Sequence, residues 1–202
     1  MELHEAIRRR TMVRSFASDP VDAPVVDCLL EAALRSPTAG NTGGTAWVVL
    51  EGHEQTARYW DVATDEAWRH ANPARFEGLR RAPVVLLAYT CPSAYVARYA
   101  EPDKDDRRLG TAMEQWPVPY WYGDAAFGVM TVLLGAVDAG LGACLLGSFR
   151  GEERLAETLG VPNGWRLFGG VVLGRPDGND HRSASLDRPP PAATRRIHRG
   201  GW

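Results

Sequence analysis

The sequence predicts an α+β domain, and three observations carry that prediction. Apolar residues recur at helical spacing in some segments and as short continuous runs in others, so helices and buried strands are both present. The two kinds of segment alternate without settling into the uniform strand–helix–strand repeat of a doubly wound sheet. The chain's 202 residues, 45% hydrophobic and 24% charged, are enough to bury one sizeable core. One domain spanning residues 1–202 is expected, with 175–202 as an extended C-terminal arm.

Leu3, Ala6 and Ile7 share a helical face, so the first ten residues are expected to form a short helix ending in Arg8, Arg9 and Arg10. Asp22 precedes Val25, Val26, Leu29, Leu30, Ala33 and Leu34, an amphipathic pattern for which Asp22 is the expected N-cap. Ser36-Pro37 closes that helix, because the residue before proline is pushed out of the helical region. Residues 39–44, Ala-Gly-Asn-Thr-Gly-Gly, read as a loop leading into a strand from Ala46 to Leu50. A polar helical stretch from about His53 to His70 is followed by a buried strand, Pro83 to Tyr89. Residues 92–122 read as irregular.

From Asp124 to Ala139 the chain is apolar nearly all round, as in a helix covered by protein on every side. A second subunit covering one face explains this, and so does a central place in a monomer. A turn and strand across Gly140–Gly147, a helix over 151–159 and a strand from Leu167 to Gly174 complete the core elements. After Gly174 the composition turns to Arg, Pro, Asp and Ser, with little core of its own.

A net charge of -2 gives no pull toward nucleic acid or an anionic membrane. The first ten residues lack a signal-peptide pattern and no apolar run reaches the ~18 residues of a bilayer span, so a cytoplasmic protein is expected. Cys28, Cys91 and Cys144 are widely spaced in apolar runs and read as buried reduced thiols. His4, His53, His70, His181 and His198 are scattered, and none has the local partners of a hydrolytic triad or a zinc site.

Two clusters carry chemistry. Arg8, Arg9, Arg10 and Arg14 form either a solvated basic face or a phosphate site held by forked guanidinium hydrogen bonds. Tyr95, Tyr99, Trp116, Tyr120 and Trp121 offer flat surfaces that either stack on an aromatic acceptor or pack in the core. Arg98 could pair with an anionic acceptor group, whereas Glu101, Asp103, Asp105 and Asp106 read as a solvated acidic loop.

Three stretches, in this order, resemble the FMN-dependent nitroreductase family. They are Arg10-Thr11-Met12-Val13-Arg14-Ser15-Phe16 with the helix through Ser36-Pro37-Thr38-Ala39-Gly40-Asn41; Trp121-Tyr122-Gly123-Asp124 through Gly140-Leu141-Gly142 to Phe149; and the terminal Ile197-His198-Arg199-Gly200-Gly201-Trp202. The resemblance implies a mainly antiparallel sheet flanked by helices, and a homodimer in which C-terminal arms exchange. It places Arg10, Thr11, Met12 and Arg14 on the FMN phosphate and ribityl chain, and Asn41 on the flavin. Backbone N–H groups of Leu145, Leu146 and Gly147 would reach the flavin ring, where preorganised dipoles stabilise the charge of reduction. Arg188 is the nearest substitute for the family's basic residue on the phosphate, because Pro190 and Pro191 occupy the usual positions. The family's usual Asn-x-Gln-Pro-Trp is replaced by Asn41-Thr42-Gly43-Gly44-Thr45.

The implied activity is hydride transfer from NADH or NADPH through FMN to a small aromatic, quinone-like or nitro acceptor in a ping-pong cycle, with the cofactor supplying the chemistry. Two other readings stay open: a flavin-binding protein without turnover, and a flavin-dependent dehydrogenase or flavin-cleaving relative on the same fold. No metal site, nucleic-acid partner or membrane is expected.

Overall fold

The apolar runs pair into one four-stranded sheet, antiparallel throughout and ordered β1-β2-β4-β3, from β1 (Thr45–Glu51), β2 (Val84–Thr90), β3 (Gly142–Leu146) and β4 (Arg166–Gly174). The computed structural model describes residues 1–104, 107–148, 150–180, 187–188 and 196–202. Every residue of β2 is buried, as a central strand covered on both faces requires. Val84, Leu86 and Ala88 point to one face with Val171, Leu173 and Ala143. Val85, Leu87 and Tyr89 point to the other with Val172 and Cys144. β1 and β3 are the two edges, and that placement governs the site.

Helices α2 (Ala23–Leu34) and α7 (Tyr120–Asp138) cover the first face, burying Val26, Leu29, Ala33, Val129, Val132, Leu133 and Ala136. Helices α3 (Gly52–Ala63), α5 (Pro73–Arg80) and α8 (Glu152–Leu159) cover the second through Tyr59, Trp60, Leu79 and Leu155. α1 (Leu3–Arg9), α4 (Glu66–Ala71) and α6 (Pro92–Tyr99) complete the helices among the described residues.

Several sequence expectations need correction. The stretch from His53 to His70 is two helices, because Thr64 is extended and Asp65 starts a new one by accepting the Trp68 N–H at 2.7 Å. Residues 92–122 are not irregular throughout: Pro92 opens α6 from its first turn, where a missing N–H costs nothing. α7 begins at Tyr120, so Tyr120 and Trp121 are helical. Asp22 occupies the N-cap of α2, but its side chain accepts no cap hydrogen bond from the helix. Of the face Leu3, Ala6 and Ile7, the single chain buries Ala6 alone. Cys144 is buried, but Cys28 is exposed and Cys91 half-buried.

The arm is tied to the body at its start. Ala17 N–H donates to the Arg175 carbonyl at 2.9 Å, Phe16 bridges to Pro176, and Asp177 accepts from Ser15 Oγ at 2.9 Å and Arg81 at 2.8 Å. No described helix is long and apolar enough to cross a membrane.

Candidate active site

The site begins at the outer edge of β3. After α1 ends at Arg9, the chain runs extended beside that edge, with a parallel bridge between Met12 and Ala143 and a 3.0 Å bond from Val13 N–H to the Ala143 carbonyl. Strand alternation turns the N–H and C=O of Leu145, two residues on, toward the same edge. There no described segment pairs with it. Leu145 and Leu146 are half-buried and Gly147 is exposed, so this backbone borders open space.

Alternation also sorts residues 10–14. Val13 turns into the core, and Thr11 lines a cavity of 210 Å³ with Leu133, Gly142 and Pro176, away from the arginine-lined space. The Thr11 side chain is therefore not brought to the cavity that Arg14 lines. Arg10 is half-buried at the C-cap of α1, and its Nη1 is fully buried with no hydrogen-bond partner. Arg14 folds back so that Nη1 donates to the Met12 carbonyl at 2.9 Å, while its N–H donates to Asp180 Oδ1 at 3.0 Å.

Two cavities adjoin this edge. One of 390 Å³ is lined by Arg14, Arg75, Arg81, Glu77, Asn179 and Asp180. The other, 280 Å³, is walled by Tyr59, Trp60, Trp68, Arg75 and the backbone run Leu145–Gly147. Arg75 lines both, so the cation-lined space and the aromatic one are neighbours across its side chain. Arg81 is committed to Asp177 and Ser15, whereas Arg75 makes no ion pair among the described residues. Burial pushes the Cys144 thiol up, and the charges of Arg14 and Arg75 oppose that rise. Arg75 was missed in the sequence, where it is one arginine in the run from Arg69 to Arg81.

The aromatic residues expected in an acceptor pocket lie elsewhere. Tyr95, Trp116 and Trp121 form a buried cluster with Tyr99 at its margin, their rings meeting edge to face or tilted 4.7–6.1 Å apart. Tyr95 is wholly buried, and none of the four lines either cavity at β3. Tyr120 alone presents a large surface, at 48% exposure. Arg98 is spent internally: it is bidentate on Asp103 at 2.6 and 2.7 Å, bonded to Glu101, and donates to the Gly40 carbonyl. Asp103 is accordingly no free acid, since the Arg98 hydrogen bond holds its carboxyl down at about 2. Asp105 and Asp106 lie outside the described residues.

Asn41 is exposed at the other edge, before β1, with two strands between it and Leu145. Arg188 is exposed, and residues 189–195, including Pro190 and Pro191, lie outside the described residues.

This layout can be set beside known proteins. Residues 7–175 match the nitroreductase family. The chain belongs to that family. It is 25% identical over 193 residues to the FMN reductase (NAD(P)H) of Bacillus subtilis, covering 95% of this chain and 72% of the relative. Two solved folds are similar. The nitroreductase CinD of Lactococcus lactis, solved with 4-nitrophenol, superposes with a TM-score of 0.71 at 20% identity, covering 95% of this chain and all of that one. A Desulfovibrio desulfuricans structure in complex with FMN gives 0.68 at 20% identity, covering 96% and 95%. The antiparallel sheet with helices on both faces is thus the nitroreductase fold.

Proposed function

We propose that the chain is an FMN-dependent oxidoreductase that uses NAD(P)H to reduce a small planar acceptor. The observation that carries this reading is the pair of cavities beside β3, one lined by Arg14 and Arg75 and the other by Arg75 and Leu145–Gly147, next to a segment whose Arg10, though it lines neither, keeps a buried Nη1 without a partner among the described residues. A buried guanidinium nitrogen without an acceptor is costly, and a dianionic phosphate supplies what it lacks. The family membership and the FMN reductase relative support the same cofactor.

FMN, when bound, would supply the redox chemistry that links a nicotinamide donor to an acceptor taking its place, on the ping-pong reading. The protein's part is electrostatic and geometric. Arg10 and Arg14 hold the phosphate, and Arg14 is freed for this by giving up its bond to the Met12 carbonyl. Arg75, common to both cavities, places positive charge between phosphate and ring. The outward backbone of Leu145, held in place by β4, and that of Gly147 just beyond the strand would provide donors with little reorganisation, whereas alternation turns the Leu146 N–H into the ladder with β4. Tyr59, Trp60 and Trp68 wall the space beside that backbone and favour a flat, electron-poor acceptor. The complex of CinD with 4-nitrophenol supports that class.

The functional unit is a homodimer on this reading. Asn41 lies at the opposite sheet edge from β3, and a second copy is what brings it to the flavin. Leu3 and Ile7 of α1, Leu34 of α2, and Phe127 and Met130 of α7 are large apolar side chains left exposed by the single chain, Phe127 at 52%. Such a face is what a partner covers. The exposed end of the arm at Ile197 and Trp202 is available to cross over.

The test is anaerobic titration of the purified, FMN-loaded protein with NADH and NADPH. Bleaching of the flavin followed by recovery on adding a quinone or nitroaromatic is expected. A protein that takes up no FMN, or whose flavin neither nicotinamide reduces, overturns the reading.

A further inference from the structure

The loop 38–44 is a tight turn that other elements hold in place as well as its own Thr38 and Thr42. Gly40 and Asn41 both adopt left-handed backbone, with φ of 65° and 54°, a conformation unusual for a residue with a side chain. Asn41 spends its N–H on the Thr38 carbonyl at 2.8 Å. Its exposed side-chain amide makes no hydrogen bond among the described residues.

What holds the turn from outside comes from α6 and α7. One carboxylate oxygen of Asp124, Oδ2, accepts both the Ala39 N–H and the Tyr95 hydroxyl, each at 2.8 Å. Asp124 is only 5% exposed, so this is a buried acid with its partners in place. Arg98 Nε donates to the Gly40 carbonyl at 3.0 Å. The rings press where the loop has no side chains: a Cβ on Gly40 would lie 2.6 Å from Tyr99 Cε2, and one on Gly44 2.4 Å from Tyr95 Cε2. Tyr95 therefore fills the space that a side chain at position 44 would need.

We propose that Tyr95 and Asp124 are positioning residues for the flavin-facing loop. They stand in for the Gln-Pro-Trp that usually follows the family's asparagine and that this chain lacks. The Tyr95 ring takes the vacated volume over Gly44, and the chain Tyr95–Asp124–Ala39 fixes the turn that aims the Asn41 amide. The inference rests on the reading that Asn41 meets the flavin of the assembled dimer.

The experiment compares the wild-type dimer with Asn41→Ala, Tyr95→Phe, Asp124→Ala and Asp124→Asn, reading FMN affinity by fluorescence quenching and the visible spectrum of the bound flavin. Tyr95→Phe and Asp124→Ala should raise the FMN Kd about tenfold, as loss of one well-placed hydrogen bond does, and shift the flavin band as Asn41→Ala does. Asp124→Asn keeps an oxygen that can accept both bonds and should restore the wild-type spectrum. In Asn41→Ala/Tyr95→Phe the two effects should not add. If one variant fails to fold, Arg98→Gln, which frees the Gly40 carbonyl, takes its place. Wild-type protein that binds no FMN defeats the functional reading. Normal binding by the wild type, with variants of unaltered spectrum or effects fully additive to those of Asn41→Ala, defeats this inference alone.

Discussion

Replacing Arg10 by methionine should move stability and cofactor affinity in opposite directions. In the FMN-free protein, Arg10 places one guanidinium nitrogen out of water with no acceptor. An unsatisfied buried polar group costs about 1–3 kcal/mol, and a half-buried side chain with other donors in reach of water lies at the lower end. Methionine keeps the length of the aliphatic stem and removes the orphan, so the FMN-free variant should match the wild type or gain about 1 kcal/mol. That corresponds to a rise of roughly 2–4 °C in melting temperature for a chain of this size. Binding should suffer, because a charged hydrogen bond to phosphate is worth about 2 kcal/mol, or some 30-fold in Kd. Fluorescence titrations with FMN and with riboflavin separate the phosphate contribution, since only FMN should lose affinity. Equal losses for both ligands would show that Arg10 supports the ring or the fold. A destabilised FMN-free variant with unchanged FMN affinity would refute the reasoning.

Other expectations follow from the same geometry. Phe127→Glu should cost the dimer about 2 kcal/mol or more, as for a buried interface aromatic, and sedimentation should then show the 22.1 kDa chain with its flavin lost. A wild type that sediments at that mass with FMN bound would remove the case for a shared site. Trp68→Ala should lower turnover of aromatic acceptors and leave the flavin content intact, because Trp68 walls the β3 cavity without lining the arginine space. Asp103 has a folded-state value near 2, below its ordinary 3.8, through the Arg98 hydrogen bond. Its contribution is therefore present above about pH 4 and lost as the pH falls toward 2. Urea midpoints of wild type and Asp103→Asn should converge across that window, and a constant gap would assign the effect to another acid.

Much of the sheet was legible because a central strand must be apolar on both faces, and Pro83–Tyr89 shows that plainly. The long helix was legible for the same reason. α5 was not, since its buried residues amount to Gly78 and Leu79, too few to set a periodicity in a run of arginines. The extended segment Met12–Val13 and the strand at Leu145 carried their roles through family resemblance, and the bridge to Ala143 now gives those segments a physical reason to be neighbours. The aromatic residues could not be placed from the sequence. Tyr95 and Trp121 have the composition of a stacking pocket, but a ring's partner is decided by which backbone it faces. Gly44 cannot be known to lie beneath Tyr95 before the chain is folded. Arg75 was hidden for a similar reason, because only folding distinguishes the arginine that lines two cavities from neighbours that pair with Glu77 and Asp177.

On the proposed dimeric reading, the sheet order gives a physical reason for a site shared between subunits. An interior strand spends its N–H and C=O groups on both neighbours, so fixed backbone donors for a ligand are available only at an edge. β3 is an edge whose first half is paired by residues 12–13 and whose second half is left open, which confines a ligand to Leu145–Gly147. The other edge, β1, is preceded by a turn whose Asn41 amide is exposed and has no hydrogen-bond partner among the described residues. On the proposed dimer, Phe127 and Met130, which α7 leaves exposed, are covered by the second copy, and the β1-edge turn of one molecule meets the β3 edge of the other. Dimerisation and flavin retention should then be one equilibrium: titrating FMN into diluted protein should drive association, and a dissociation constant independent of FMN would break the link.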